Sequence, residues 1–283
     1  MTEGIDLTTW VGREERRVDL VSASHLAAWN ATLDRDDPFP RDGDPAPPGF
    51  HWALFPPLAR QSEIGPDGHP RRGGFLPPVP LPRRMWAGSR IRFHRALRVG
   101  EPVEQVSVVG KVEEKAGRAG ALVFVTVRHA VSGPDGPAVE EEQDLVYRNA
   151  SPGPGAGATA PEPAPRGAWQ RRVEPDPVLL FRYSALTFNA HRIHYDRRYA
   201  TAAEGYDGLV VHGPLIATLL LDLLRRQMPA AELERFRFRG LRPTFDTSPF
   251  TLEGGPGDEP GHVRLWSTDN LGQVGVDAEA WIA

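Results

Sequence analysis

No cysteine occurs anywhere in this 283-residue sequence. Disulfides, zinc–thiolate sites and thiol nucleophiles are therefore excluded. Lysine is almost missing as well: Lys111 and Lys115 are the only two, so nearly every basic residue is arginine. Such a bias is common in GC-rich coding sequence, so it carries little weight as a sign of phosphate binding. No excess of positive charge exists, since the formal net charge is −4, and nucleic acid is not an expected partner. Long apolar runs are missing too. The longest, Leu215 to Leu224, is too short for a bilayer and contains Asp222. The start, Met1-Thr-Glu-Gly-Ile-Asp, lacks a basic region followed by an apolar core, so no signal peptide and no membrane partner are expected. With hydrophobic residues at 40% and charged residues at 25%, the composition is that of a soluble globular protein, by default cytoplasmic. Ser184 and Ser248 lie outside any G-x-S-x-G, and no G-x-x-x-x-G-K or G-x-G-x-x-G follows a strand. An α/β-hydrolase elbow, nucleotide hydrolysis and dinucleotide cofactors therefore have no support.

What is present divides the chain in two. Ser151 to Pro165 is proline, glycine and alanine with Glu162 as its only charge. Such a stretch cannot bury a core and reads as a linker. The expected units are residues 1–150, a linker at 151–168, and 169–283. The halves look like diverged copies: Arg90-Ile-Arg92-Phe93 matches Arg235-Phe-Arg237-Phe238, each alternating basic and apolar residues as a half-exposed strand does. Further strands are expected at Val103–Glu113, Ala121–Ser132 and Ala138–Arg148, then at Phe250–Glu253, His262–Thr268 and Gly272–Ile282. Gly117–Gly120, Gly133–Gly136 and Asp269–Gly272 are hairpin signals. The main helix candidate is Pro214–Gln227. Pro214 suits a first turn, and leucine or isoleucine covers most of the circumference, which places the helix inside a core. One buried helix against antiparallel strands makes the fold class α+β.

The chemistry concentrates at Asn189-Ala-His191-Arg-Ile-His194-Tyr-Asp196, followed by Val210-Val-His212-Gly213-Pro214. An amide and two imidazoles fall within six residues. The glycine–proline step then opens the long helix, whose start offers free N–H groups and a positive dipole end. Imidazoles beside such an end suit proton transfer on a substrate whose oxygen gains negative charge. His191-x-x-His194 also has metal-ligand spacing. H-E-x-x-H is absent, however, and no third ligand is obvious, so no metal is expected.

These residues resemble the S-G-D-x-N-P-I-H-x-D pattern of MaoC-type, or R-specific, enoyl-CoA hydratases, which is followed by V-H-G and an apolar helix. With Leu81-Pro-Arg-Arg-Met-Trp-Ala-Gly88, the chain looks closest to the type 2 3-hydroxyacyl-thioester dehydratases and the mesaconyl-CoA or itaconyl-CoA hydratases. The resemblance implies a double hot-dog fold, two antiparallel sheets each wrapping a central helix. It implies a hydro-lyase that interconverts enoyl-CoA and 3-hydroxyacyl-CoA. No separate cofactor is implied, coenzyme A being part of the substrate, and a homodimer or higher homo-oligomer is compatible. Carried over, His194 is the acid/base and the Gly213 N–H is the oxyanion donor. The motif's aspartate falls on Asn189, and an amide is not a base at neutral pH. Three readings stay open. Asn189 positions the water while His194 carries both proton transfers, with His191 as helper; or His191 replaces the lost carboxylate; or Asp196 sets the tautomer of His194. The first is favoured. His212 is expected to be a structural hydrogen-bonder. Tyr183, Tyr195 and Phe188 are candidates for lining an acyl pocket, with plain core packing the expectation for any single aromatic, and Trp86 is a candidate substrate-binding residue.

In such enzymes the degenerate half holds the thioester. Here the first half lacks an H-x-x-H, having Ser24-His25-Leu-Ala-Ala-Trp29-Asn30 instead, and its central-helix counterpart is broken at Pro56-Pro57. Arg71-Arg72 and Arg83-Arg84 are candidates for the coenzyme A phosphates. Two rivals remain: a hot-dog thioesterase, and a non-catalytic acyl-thioester binder in which Asn189 marks lost catalysis.

Overall fold

The computed structural model describes residues 5–117, 120–149 and 164–283. Most of the expected linker, 151–163, lies outside the described residues. In the first half, strands β1 (Glu14–Leu20), β2 (Arg83–Phe93), β3 (Pro102–Gly117), β4 (Gly120–Gly133) and β5 (Gly136–Arg148) accompany helix α1 (Ala23–Thr32). In the second, β6 (Trp169–Val173), β7 (Leu233–Gly240), β8 (Phe250–Pro256), β9 (His262–Thr268) and β10 (Val274–Ile282) accompany α2 (Pro177–Leu186) and α3 (Gly213–Gln227). All strand pairs are antiparallel. The order is β1-β3-β4-β5-β2-β7-β10-β9-β8-β6. The second five strands therefore repeat the first five in mirrored order, and the two sheets fuse along β2 and β7 into one.

The fusion line is where the sequence repeat lies. Ile91 pairs with Phe236, Arg90 with Arg237 and Arg92 with Arg235. Ile91 and Phe236 are also equivalent in the repeat, as a two-fold axis between them requires. Their apolar residues point inward, with Ile91 at 3% and Phe236 at 0% exposure. The arginines point to solvent, where like charges across the seam would repel. Flanking acids offset this: Arg90 pairs with Glu142 and Asp144, and Arg237 with Glu279.

Helix ends follow their capping chemistry. Asp176 accepts from Val178 N and Leu179 N to start α2, with Pro177 in its first turn. Every residue of α3 from Leu215 to Leu224 is buried, and the helix packs on β6, β8, β9, β10 and β2. The one acid on this stretch, Asp222, is met by Arg35 at 3.0 Å, Arg171 at 2.7 Å and Arg226 at 2.7 Å. A buried carboxylate left without such partners would be strongly destabilising.

The halves are not equal. Among its described residues the first has no central α-helix, and at that place has a 3-10 turn at Phe50–Ala53 that ends before Pro56 and Pro57. Its Ser24–Asn30 stretch forms α1, the counterpart of α2, and not of the His191–His194 motif. Proline removes the donors a longer helix would need. So one true central helix, α3, serves both sheets. Among the described residues no helix is long and apolar enough to cross a membrane.

Candidate active site

Four imidazoles lie in sequence against one another at the start of α3. His69 and His191 have ring centroids 4.1 Å apart, His191 and His194 5.3 Å, and His194 and His212 3.6 Å. The backbone forces this. Helix α2 ends at Leu186, and Phe188 takes a left-handed φ of +49°. The chain then reverses: Asn189 N donates to Ser184 O at 2.8 Å, and His191 N donates to Asn189 Oδ1 at 3.0 Å. A short 3-10 turn at Arg192–His194 follows, and Val210 N donates to Ile193 O. The segment is thus laid beside Val210–Gly213.

His194 is 8% exposed. Its Nδ1–H donates to Val210 O at 2.7 Å, which leaves Nε2 with a free lone pair. Burial lowers its pKa to about 4, opposed by the Val210 bond. His212 Nε2 bonds Ser184 Oγ at 2.9 Å, and burial together with the neighbouring imidazoles holds it well below the ordinary value. His191 is lowered by burial and by the charges of His69 and His194. All are therefore neutral at pH 7. Gly213 is the first residue of α3, so its N–H has no intrahelical acceptor. The nearest group to its Cβ position is the Trp86 carbonyl, at 4.0 Å.

The first half enters this site directly. The turn at Pro66–His69 docks on the 189–192 segment: Arg192 N donates to Asp67 O at 2.9 Å, and Arg192 Nη1 to Pro66 O at 2.9 Å. Gly68, at φ +92°, lies so close to Ala190 that a Cβ would fall 1.7 Å from its carbonyl oxygen. His69 Nδ1–H donates to Asp67 Oδ2 at 3.1 Å. Burial lowers His69 to about 4, aided by the charges of Arg84 and Arg72 and opposed by Asp67. Burial alone would raise Asp67, but His69 more than reverses that and holds it below the usual carboxylate range. Asp67, His69 and His191 bring donor atoms within 4.8 Å of one another, a set of the right type for a divalent ion. Against it, Asp67 is already bonded to His69, and the charges of Arg84 and Arg72 that depress His69 would oppose a cation.

Sequence relatives give the family of the chain. A family model described as hydroxyacyl-thioester dehydratase type 2 matches residues 49–246. Mesaconyl-C(4)-CoA hydratase of Chloroflexus aurantiacus is 48% identical over 253 residues, 89% of either chain. The chain belongs to the type 2 hydroxyacyl-thioester dehydratase family. The mitochondrial family member of Schizosaccharomyces pombe is 30% identical over 230 residues, 72% of this chain and 76% of that one. Among solved structures, a MaoC-like dehydratase from Phytophthora capsici superimposes with TM-score 0.75 at 15% identity, covering 99% and 98%. A Mycobacterium tuberculosis protein described as a double hot-dog matches with TM-score 0.60 at 16% identity, covering 96% of each chain. The fold is the double hot-dog, and the reaction class is that of hydratases and dehydratases, the hydro-lyases.

Placing the other expected residues changes several readings. Asp196 does not touch His194. It pairs with Arg192 at 2.7 Å and accepts from Tyr199 N, so the tautomer of His194 is set by a backbone carbonyl instead. Asn189 Oδ1 accepts from His191 N within the backbone turn, and its NH₂ makes no hydrogen bond among the described residues. Tyr183, 2% exposed, lies behind His212 against Trp29, a core position and not a pocket wall. Phe188 is 57% exposed and serves to end α2. Arg83 is bound to Glu204 at 3.0 Å and stacks over Tyr206, so it is not free for phosphates. Arg72 is likewise spent on the carbonyls of Val79, Leu81 and Pro82. Arg71 and Arg84 have no ion pair or side-chain hydrogen bond among the described residues, and of the two Arg84 is the one whose charge acts on His69 and His191. Trp86 packs against Trp52 and Phe238, and its Nε1–H donates to Ser89 Oγ at 2.9 Å. Sequence reasoning missed Asp67 and His69 altogether. The available signal was Pro66-Asp-Gly-His69-Pro70, a proline-flanked turn with an acid and an imidazole on either side of glycine.

Proposed function

We propose that the chain hydrates a dicarboxylic enoyl-CoA of the mesaconyl-C(4)-CoA type, with one active site per chain. The observation that carries this is His194, buried and neutral, with Nδ1 donated to Val210 O and Nε2 free beside the start of α3. In this reading water gives a proton to His194 Nε2 as its oxygen bonds the β-carbon. The thioester oxygen gains charge and is held by the Gly213 N–H and the helix dipole, where one oxyanion donor is worth about 2.7–4 kcal/mol. The α-carbon then takes one proton and His194 gives up the one it accepted, so that H and OH are added overall and the site ends as it began. Reversal gives dehydration.

Substrate class rests on the 48% identity with mesaconyl-C(4)-CoA hydratase and on Arg84. A guanidinium without a partner, whose charge reaches His69 and His191, suits the free carboxylate of such a substrate. Arg71 remains a candidate for the coenzyme A phosphates. The first half, residues 1–150, acts as the thioester-holding unit and 169–283 as the unit that carries His194. A cytoplasmic setting and a homo-oligomeric state belong to the same proposal.

The test is incubation with mesaconyl-C(4)-CoA and with crotonyl-CoA. Loss of enoyl absorbance with the thioester intact supports hydration. Release of free thiol would show a thioesterase, and tight binding without turnover a non-catalytic acyl-thioester binder.

A further inference from the structure

The chain lacks the motif's carboxylate, yet a carboxylate, Asp67, stands two imidazoles from His194. Asp67 holds the Nδ1–H of His69 at 3.1 Å, and His69 packs on His191, which meets His194 edge to face. We propose that the Asp67–His69 pair, supplied by the first half, is the second proton carrier of the hydration site, in place of the carboxylate missing at Asn189. The inference rests on the hydratase reading above.

Three observations carry it. Hydrogen bonding to Asp67 fixes the tautomer of His69, so Nε2 is the nitrogen left free on the side away from Asp67. The anionic Asp67 at Nδ1 favours the imidazolium of His69, against burial and the charges of Arg84 and Arg72, so His69 and His194 both hold a proton only near 4 and can pass it between them. The docking that brings His69 in is specific: only glycine fits at position 68, at φ +92° against the Ala190 carbonyl, and Arg192 is committed twice to the Pro66–Asp67 backbone. A mere cleft wall would not need an acid–imidazole pair held at this place.

The proton count closes. Water loses one proton to His194 Nε2 as its oxygen forms the bond to the β-carbon. The π pair moves to the α-carbon and thioester oxygen. The proton passes from His194 to His69 Nε2, through one bridging water beside His191, and from His69 to the α-carbon. The net change is addition of H and OH, and both imidazoles end as they began. Asp67 acts through His69 and is a positioning residue. Asp67 is bonded to His69 and His191 packs on its ring, while the charges of Arg84 and Arg72 act on it and it in turn acts on His194.

The test uses the full-length chain and mesaconyl-C(4)-CoA. His69→Gln should lose about 10²–10⁴-fold in kcat with KM within about threefold, as for a lost proton carrier. His69→Ala should regain activity as imidazole is added, while Asp67→Asn should lose less than His69→Gln. Thermal melts of each variant confirm that it is folded. A His69→Gln variant within about threefold of wild type would overturn the relay, as would a folded His69→Ala variant that imidazole fails to rescue. One divalent ion per chain, with activity lost on chelation, would overturn it too by making Asp67 and His69 ligands. A wild-type chain inert toward every enoyl thioester would instead overturn the hydratase reading, and the relay with it.

Discussion

His194 lies flat on His212, with ring centroids 3.6 Å apart and planes at 19°. Two stacked imidazoles cannot both be charged without strong repulsion, and burial already disfavours the charged form of each. His69 and His191 extend the same situation. Unfolded, these four groups would bind protons near the ordinary 6.5; folded, His194 and His69 do so only near 4. The unfolded state therefore binds more protons between those values. Stability is complete above about pH 7 and is lost as pH falls from 6.5 toward 4, at about 1.4 kcal/mol per pH unit for each proton taken up. Calorimetry should show a falling Tm and an uptake of several protons on unfolding near pH 5.5. A Tm that stays flat from pH 7 to pH 5 would contradict the neutral cluster.

The same displacement governs activity. His194 must be neutral to accept a proton from water, and it is neutral above about pH 4. The acid limb of kcat/KM should therefore stay level down to about pH 5, below where an ordinary histidine would titrate. His194→Ala should reduce kcat by about 10²–10⁴-fold with substrate binding nearly unchanged. Activity within about threefold of wild type would remove His194 from the reaction.

Asn189 separates a structural role from a chemical one. Its Oδ1 holds the backbone turn through His191 N. An aspartate offers the same acceptor, so Asn189→Asp should keep the fold and keep or raise the rate by adding a carboxylate to the site. Asn189→Ala loses the turn and should be clearly slower. Steady-state rates of the pair decide it: an alanine variant equal to wild type would place Asn189 outside the working site.

Local pattern carried much of this molecule. His194 lies on a short turn and Gly213 opens α3, two local features that sequence pattern makes legible. The repeat was visible because β2 and β7 each alternate arginine with an apolar residue, and the structure sets Ile91 against Phe236 at its centre. Asp196 misled because a carboxylate two residues from an imidazole looks like its partner, whereas the 3-10 turn sends it back to Arg192. Asp67 and His69 were not legible because nothing local links them to His191. Only the docking of one half on the other does.

That docking depends on Gly68. Alanine there would meet the Ala190 carbonyl at 1.7 Å and would hold a φ of +92° that L-residues rarely adopt. The backbone strain alone is worth about 1–3 kcal/mol, and relief requires the turn to lift from the 189–192 segment. Gly68→Ala should therefore lower Tm and, by withdrawing His69, reduce kcat more than the loss of folded protein explains. A variant with wild-type Tm and rate would show that the turn docks some other way.

Arg83 and Arg84 are neighbours in sequence but point to opposite faces of β2, and their variants should behave differently. Arg83 is committed to Glu204 and Tyr206, so Arg83→Met should lower stability and affect all substrates alike. Arg84 has no such partner, and its charge acts on His69 and His191. A charge-assisted hydrogen bond to a substrate carboxylate is worth about 1.5–3 kcal/mol, so Arg84→Met should raise KM for mesaconyl-C(4)-CoA by roughly 10–150-fold. Crotonyl-CoA has no free carboxylate to lose, and its KM should move by less than about threefold. Equal effects on both thioesters would assign Arg84 to coenzyme A, and no effect on either would remove it from the binding site.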